Sequence, residues 1–203
     1  MKKIICMSIM IFCIGLLSGC SNKKTDVDTS TVFIEKKGKV ISVDVEHLDK
    51  DYYDIDELKD YITEHVEDYT ETNGDTVKET SFDVKDGIAK LTMEYDSYED
   101  YAGFNGVELY CGTVVGAQAD GYDFDMEFYR VEDSQKQEIV EKSDILAEDD
   151  NKIVIIKANV DVMVPGTVLY VSAPDTDIRS EDVVSIVGEG ANEEAQLTYI
   201  IYK

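Results

Sequence analysis

Between Ile153 and Val164 apolar side chains return at every second position, so that Ile156, Ala158, Val160, Val162 and Val164 share one face of an extended backbone. Such a run needs a sheet with a covered face. Pro165-Gly166 then turns the chain into an apolar segment from Thr167 to Ser172, and residues 183–187 and 197–202 supply two more. The last third is therefore read as β-rich.

The preceding residues mix both periods. Thr31 to Val45 alternates around Lys36-Lys37-Gly38 and predicts a hairpin, with Val32 and Ile34 on one face of its first arm and Ile41, Val43 and Val45 on one face of its second. Ile55, Leu58, Ile62, Val66 and Tyr69 recur at steps of three and four and predict an amphipathic helix near residues 54–71. Asp54 caps it, with Glu57 three residues on, and Asn73-Gly74 ends it. Asp86-Gly87 marks a second hairpin, with arms Val77 to Val84 and Ile88 to Tyr95. Residues 97–104 read as a short helix, 107–111 as a buried strand and 113–120 as a helix capped by Thr113 and stopped at Gly121. Tyr122 to Val131 alternates as a half-solvated strand, and Glu132 to Asp150 reads as helical or looping. The fold class is α+β, mostly antiparallel sheet. Residues 31–203 form one acidic domain, or two subdomains split near residue 121.

Charge narrows the partners. The 203 residues carry 44 acidic and 19 basic side chains, a net charge of -25, and 43% of them are hydrophobic. That is too apolar for a disordered acidic tail and too acidic for a nucleic-acid binder, whose phosphate contacts need clustered Lys and Arg. Only Arg130 and Arg179 offer a bidentate anion fork.

The N-terminus starts Met1-Lys2-Lys3 and runs without charge from Ile4 to Leu17. That stretch is shorter than the roughly 20 apolar residues of a membrane-spanning helix and suits a secretory signal with a basic start. It ends in Leu17-Ser18-Gly19-Cys20, which resembles the lipobox of bacterial lipoproteins. The resemblance implies cleavage between Gly19 and Cys20, fatty acylation of Cys20, and attachment to a membrane without crossing it. Residues 1–19 are then a removed signal and residues 20–30, polar and aperiodic, a lipidated tether. The Lys-rich, Arg-poor acidic domain also resembles in composition the lipoproteins of Gram-positive anaerobes, which implies the extracytoplasmic face of a single cell membrane. Cys6 and Cys13 leave with the signal and Cys20 is taken by lipid, so Cys111 stands alone and stability rests on an apolar core.

Catalytic patterns are sparse. There is no Gly-x-Ser-x-Gly, no Walker loop, no His-Glu-x-x-His and no Cys/His zinc spacing, and the two histidines, His47 and His65, stand far apart. No catalytic, cofactor-binding or metal residue is assigned, and Cys111 reads as a small buried hydrophobe. Calcium is the one cation the acidic exterior invites as a partner. Yet Asp49, Asp51, Asp54 and Asp56 put an aspartate where a calcium loop needs glycine, and Arg179 fills a ligand position after Asp175 and Asp177. Tyr95, Tyr98, Tyr101 and Phe104 recur every third residue and either cover the sheet or form an aromatic binding edge. The expectation is a noncatalytic envelope lipoprotein that binds a small ligand or a protein. A surface hydrolase with paired carboxylates and a structural or assembly factor of the envelope are the alternatives.

Overall fold

The computed structural model describes residues 26–50, 53–147, 150–172, 175–187 and 195–203. Cys20 and the residues before it lie outside the described residues. In chain order the first half contains β1 (Thr31–Ile34), β2 (Val40–His47), α1 (Ile55–Asn73), β3 (Val77–Lys85), β4 (Ile88–Tyr95), α2 (Tyr98–Asn105), β5 (Leu109–Thr113) and α3 (Val114–Ala119). The second half contains β6 (Phe128–Glu132), β7 (Gln135–Val140), α4 (Lys142–Leu146), β8 (Lys152–Ile156), β9 (Asp161–Met163), β10 (Val168–Ser172), β11 (Thr176–Ser180), β12 (Val183–Ile186) and β13 (Thr198–Tyr202).

The fold is α+β with mostly antiparallel sheets. One sheet has the order β11-β12-β9-β1-β2-β4-β3 and the other β5-β8-β13-β10-β6-β7. Each draws strands from both sides of residue 121. Among the described residues a single parallel pairing joins β1 to β9, placing Val32 beside Val162.

The two sheets face each other across a common core. Val32, Ile34, Met93, Val162 and Val184 from the first meet Val154, Ile156, Val171 and Ile200 from the second, all of them buried. The six-stranded sheet is buried on its other face too, where Ile153, Ile155, Tyr199 and Ile201 pack against Val114 and Ala117 of α3, Ile145 of α4 and Phe124. Neighbouring residues of β8 and β13 thus enter different cores, which is why both strands read as continuous apolar runs.

Several local expectations are met. Asp54 accepts hydrogen bonds from the Asp56 and Glu57 N–H groups and caps α1, and Thr113 caps α3 through the Gly116 N–H. Asp86 and Gly87 both take positive φ, 53° and 77°, as a type I′ turn requires.

Others are corrected. The run from Ile153 to Val164 is not one strand: β8 belongs to the six-stranded sheet and β9 to the seven-stranded one, with a bend at 158–160 between them. Its face is nevertheless continuous, because Ile156, Ala158, Val160, Val162 and Val164 all meet the inter-sheet core as the chain crosses it. In the first hairpin Val32 lies opposite Ser42 and Ile34 opposite Val40. The faces within each arm are as expected, with Val32 and Ile34 on one and Ile41 and Val43 together on the other beside Phe33; what the register adds is that Val40 and Ser42 lie opposite Ile34 and Val32. Hydrogen-bonded strand begins only at Phe128, although Phe124 is buried and Tyr122 and Met126 pack beside it. The stretch 132–150 contains β7, joined to β6 through Asp133 and Ser134 at φ 50° and 56°, as well as α4. The amphipathic helix forms but buries only Ile62 fully, leaving Ile55 45% and Tyr61 63% exposed.

Candidate functional site

Two of the concavities among the described residues contain aromatic side chains. The larger, about 610 Å³, opens at one end of the sandwich. Three turns converge there: residues 35–39 between β1 and β2, 164–167 between β9 and β10, and 181–182 between β11 and β12. The last two are tied together by backbone hydrogen bonds from Val164 N to Asp182 O at 2.9 Å and from Val168 N to Glu181 O at 2.8 Å. Val40, Tyr95 and Val164 supply an apolar floor, while Lys36, Lys37, Glu181 and Asp182 stand on the rim. Lys39 is engaged by Asp96 at 2.7 Å. Below the floor Tyr95 is fixed by Asn105, whose side-chain N–H donates to the phenol oxygen at 3.2 Å.

The chain enters from the opposite end. β1 runs from the N-terminal segment toward the cleft, and just before it the Lys90 ammonium donates to the Val27 carbonyl at 2.5 Å and to Asp28 at 3.2 Å. The cleft therefore opens at the end of β1 remote from the N-terminal segment.

The second concavity, about 490 Å³, is formed by Tyr98, Tyr110 and Tyr122 with Glu108 and Asp120 at its edge. The Tyr98 and Tyr110 rings meet edge-on with centroids 5.7 Å apart, and Tyr110 and Tyr122 are tilted at 5.2 Å. Burial raises the pKa of all three phenols, and the neighbouring carboxylates add to it: Glu99 beside Tyr98, Asp120 beside Tyr110 and Glu108 beside Tyr122. Tyr122 is pushed up to about 12, so these rings stay neutral at physiological pH.

The aromatic series singled out by its three-residue spacing divides. Tyr95 and Tyr101 are buried in the inter-sheet core, where Tyr95 also floors the end cleft, Phe104 packs against that core, and Tyr98 lines a second concavity. Its companions Tyr110 and Tyr122 come from β5 and from the segment after α3. Nothing in the spacing of three residues 12 apart signals that they meet.

Cys111 is half-buried in β5, and its thiol is pushed up to about 12 by burial and by the Glu99 charge, which keeps it a neutral hydrophobe. His65 lies exposed on α1, its ring stacked 5.9 Å from Tyr61 and tilted 4.5 Å from Phe104, and His47 ends β2 in solvent. Several carboxylates of the acidic runs are engaged by protein groups, and Asp51 lies outside the described residues. Asp54 is a helix cap, Asp49 pairs with Lys50 at 2.9 Å, and Arg179 approaches Asp177 at 3.5 Å. Lys142 is 2.6 Å from Asp125 and 3.9 Å from Asp123. Among the described residues no group of three or more His, Cys, Asp or Glu side chains converges as a metal site, and no helix is long and apolar enough to cross a membrane. Asp44, whose carboxyl burial holds above its ordinary range, lines neither concavity.

Compared with protein-family models, curated proteins and solved structures, the chain matches none.

Proposed function

We propose that this is an envelope lipoprotein, held by lipid on Cys20 at the extracytoplasmic face of a Gram-positive cell membrane, whose domain binds a ligand or protein without transforming it. The supporting observation is the placement of the end cleft. It combines an apolar floor with a rim bearing both charges, the usual composition of a binding pocket. It also opens at the end of β1 remote from the entering chain, where a tethered domain would meet partners outside the cell. Two acyl chains would hold the protein at about 0.8 kcal/mol per buried methylene, against the repulsion between its acidic surface and anionic headgroups.

Two experiments test the reading. Cells fed a labelled fatty acid should label the protein, and Cys20→Ala should lose both label and membrane attachment; unchanged processing would refute the anchor. A photo-crosslinking side chain at Lys37 should capture a partner that one at Glu64, exposed on α1, does not. Equal capture at both positions would remove the cleft from the proposal. Turnover of glycans or peptides abolished by a single Asp or Glu substitution would replace binding by hydrolysis.

A further inference from the structure

We propose that the concavity between Tyr98, Tyr110 and Tyr122 is a binding site for an organic ammonium group, its charge met by the carboxylates of Glu108 and Asp120. Three aromatic rings set at angles to one another line about 490 Å³, and the face of each ring is electron-rich. A cation within about 6 Å of such a ring is attracted by its quadrupole, and methylated or primary ammonium groups combine that charge with an apolar skin. A hydrated divalent ion lacks the apolar skin and prefers a cage of oxygens.

The site is built rather than incidental. Tyr110 is 8% exposed and its hydroxyl occupies the space left by two glycines, Gly112 and Gly116. Tyr122 is held by its N–H, which donates to the Ala117 carbonyl at 3.0 Å, and by the Tyr199 ring at 6.4 Å. The rings thus keep their angles before a ligand arrives, and little ordering is needed on binding. The net charge of -25 raises the local concentration of cations around the whole domain. The inference is independent of what fills the end cleft.

The test uses the full chain in a nonionic detergent at constant ionic strength, titrated with choline, with tetramethylammonium and with the uncharged isostere 3,3-dimethylbutan-1-ol, and read by calorimetry and by tyrosine ring resonances. Both cations should bind saturably, with the isostere about tenfold weaker or more. Tyr122→Leu and Glu108→Gln should each weaken choline by about fivefold or more, while Tyr61→Leu, an exposed tyrosine on α1, should change nothing. Glu108 is exposed, so its variant separates loss of charge from loss of fold. Equal binding of isostere and cation, affinity unchanged in both pocket variants, or saturation by methyl glycosides with none by either cation would each overturn the proposal.

Discussion

The hydroxyl of Tyr110 lies over Gly116, where a Cβ would stand 2.7 Å from the phenol oxygen and 3.0 Å from Thr113 Oγ1. The Tyr110 ring is enclosed and Thr113 Oγ1 is the α3 cap, so neither yields easily. Gly116→Ala should therefore lose about 1–2 kcal/mol, although alanine favours a helix by about 1 kcal/mol. At Gly103 in α2 a Cβ would meet the Tyr69 hydroxyl at 2.9 Å, but Tyr69 is only half-buried and can swing away. Gly103→Ala should be neutral or stabilising by up to about 1 kcal/mol. Urea unfolding of the two variants side by side decides it, since equal effects would mean the Tyr110 ring is not wedged.

Ile200 and Ile201 are adjacent on β13 and both fully buried, one between the sheets and the other beneath α3 and α4. Ile200→Ala and Ile201→Ala should each cost about 2–5 kcal/mol. In a sheet with one solvated face only one of the pair would be costly. Comparable losses of denaturation midpoint would establish that both faces are covered.

Alkaline stability should depend on Cys111. Its thiol rises from 9.0 to about 12 on folding, so above pH 9 the folded state holds a proton that the unfolded chain has released. Stability then falls as pH rises, by at most about 1.4 kcal/mol per pH unit for one such group. Between pH 9 and 10 the decline should be shallower in Cys111→Ala, and melting curves across that interval measure it. The buried tyrosines, raised from 10.0, extend the decline to higher pH.

Gly166 faces the last residue of the chain. A Cβ there would collide with the Lys203 carbonyl oxygen and lie 2.9 Å from its carbon, and both are backbone atoms. The same approach allows Thr167 and Lys203 to exchange hydrogen bonds at 2.9 and 3.0 Å. Gly166→Ala should cost about 2 kcal/mol through displacement of that pair, visible as faster amide exchange at Lys203.

Features set by a few neighbouring residues were legible in the sequence. The Asp54 and Thr113 caps, the Asp86-Gly87 turn and the inward face shared by Ile156 and Val164 each depend on contacts or periodicity within about a dozen positions. β7 and β11 were not, because both are edge strands: Gln135-Lys136-Gln137-Glu138, and Asp177 and Arg179, carry the polar side chains that shield an open edge, and so lack the apolar alternation that announces a strand. The Asp133-Ser134 turn was equally silent, since neither residue is the glycine usual at positive φ. For the candidate site the tyrosines were visible as residues and invisible as a group.

By itself, then, the sequence determined an α+β chain with alternating apolar faces, the caps and turns that punctuate it, and an acidic surface poorly suited to nucleic acid. Tertiary structure alone decided that β1 lies parallel to β9, that one apolar run divides between two sheets, and that Tyr98, Tyr110 and Tyr122 close around one concavity. The reason is the range of the forces involved. Periodicity and capping are satisfied within a turn or two of chain, whereas pairing Val32 with Val162 closes a loop of some 130 residues and is selected only when the whole core is buried at once.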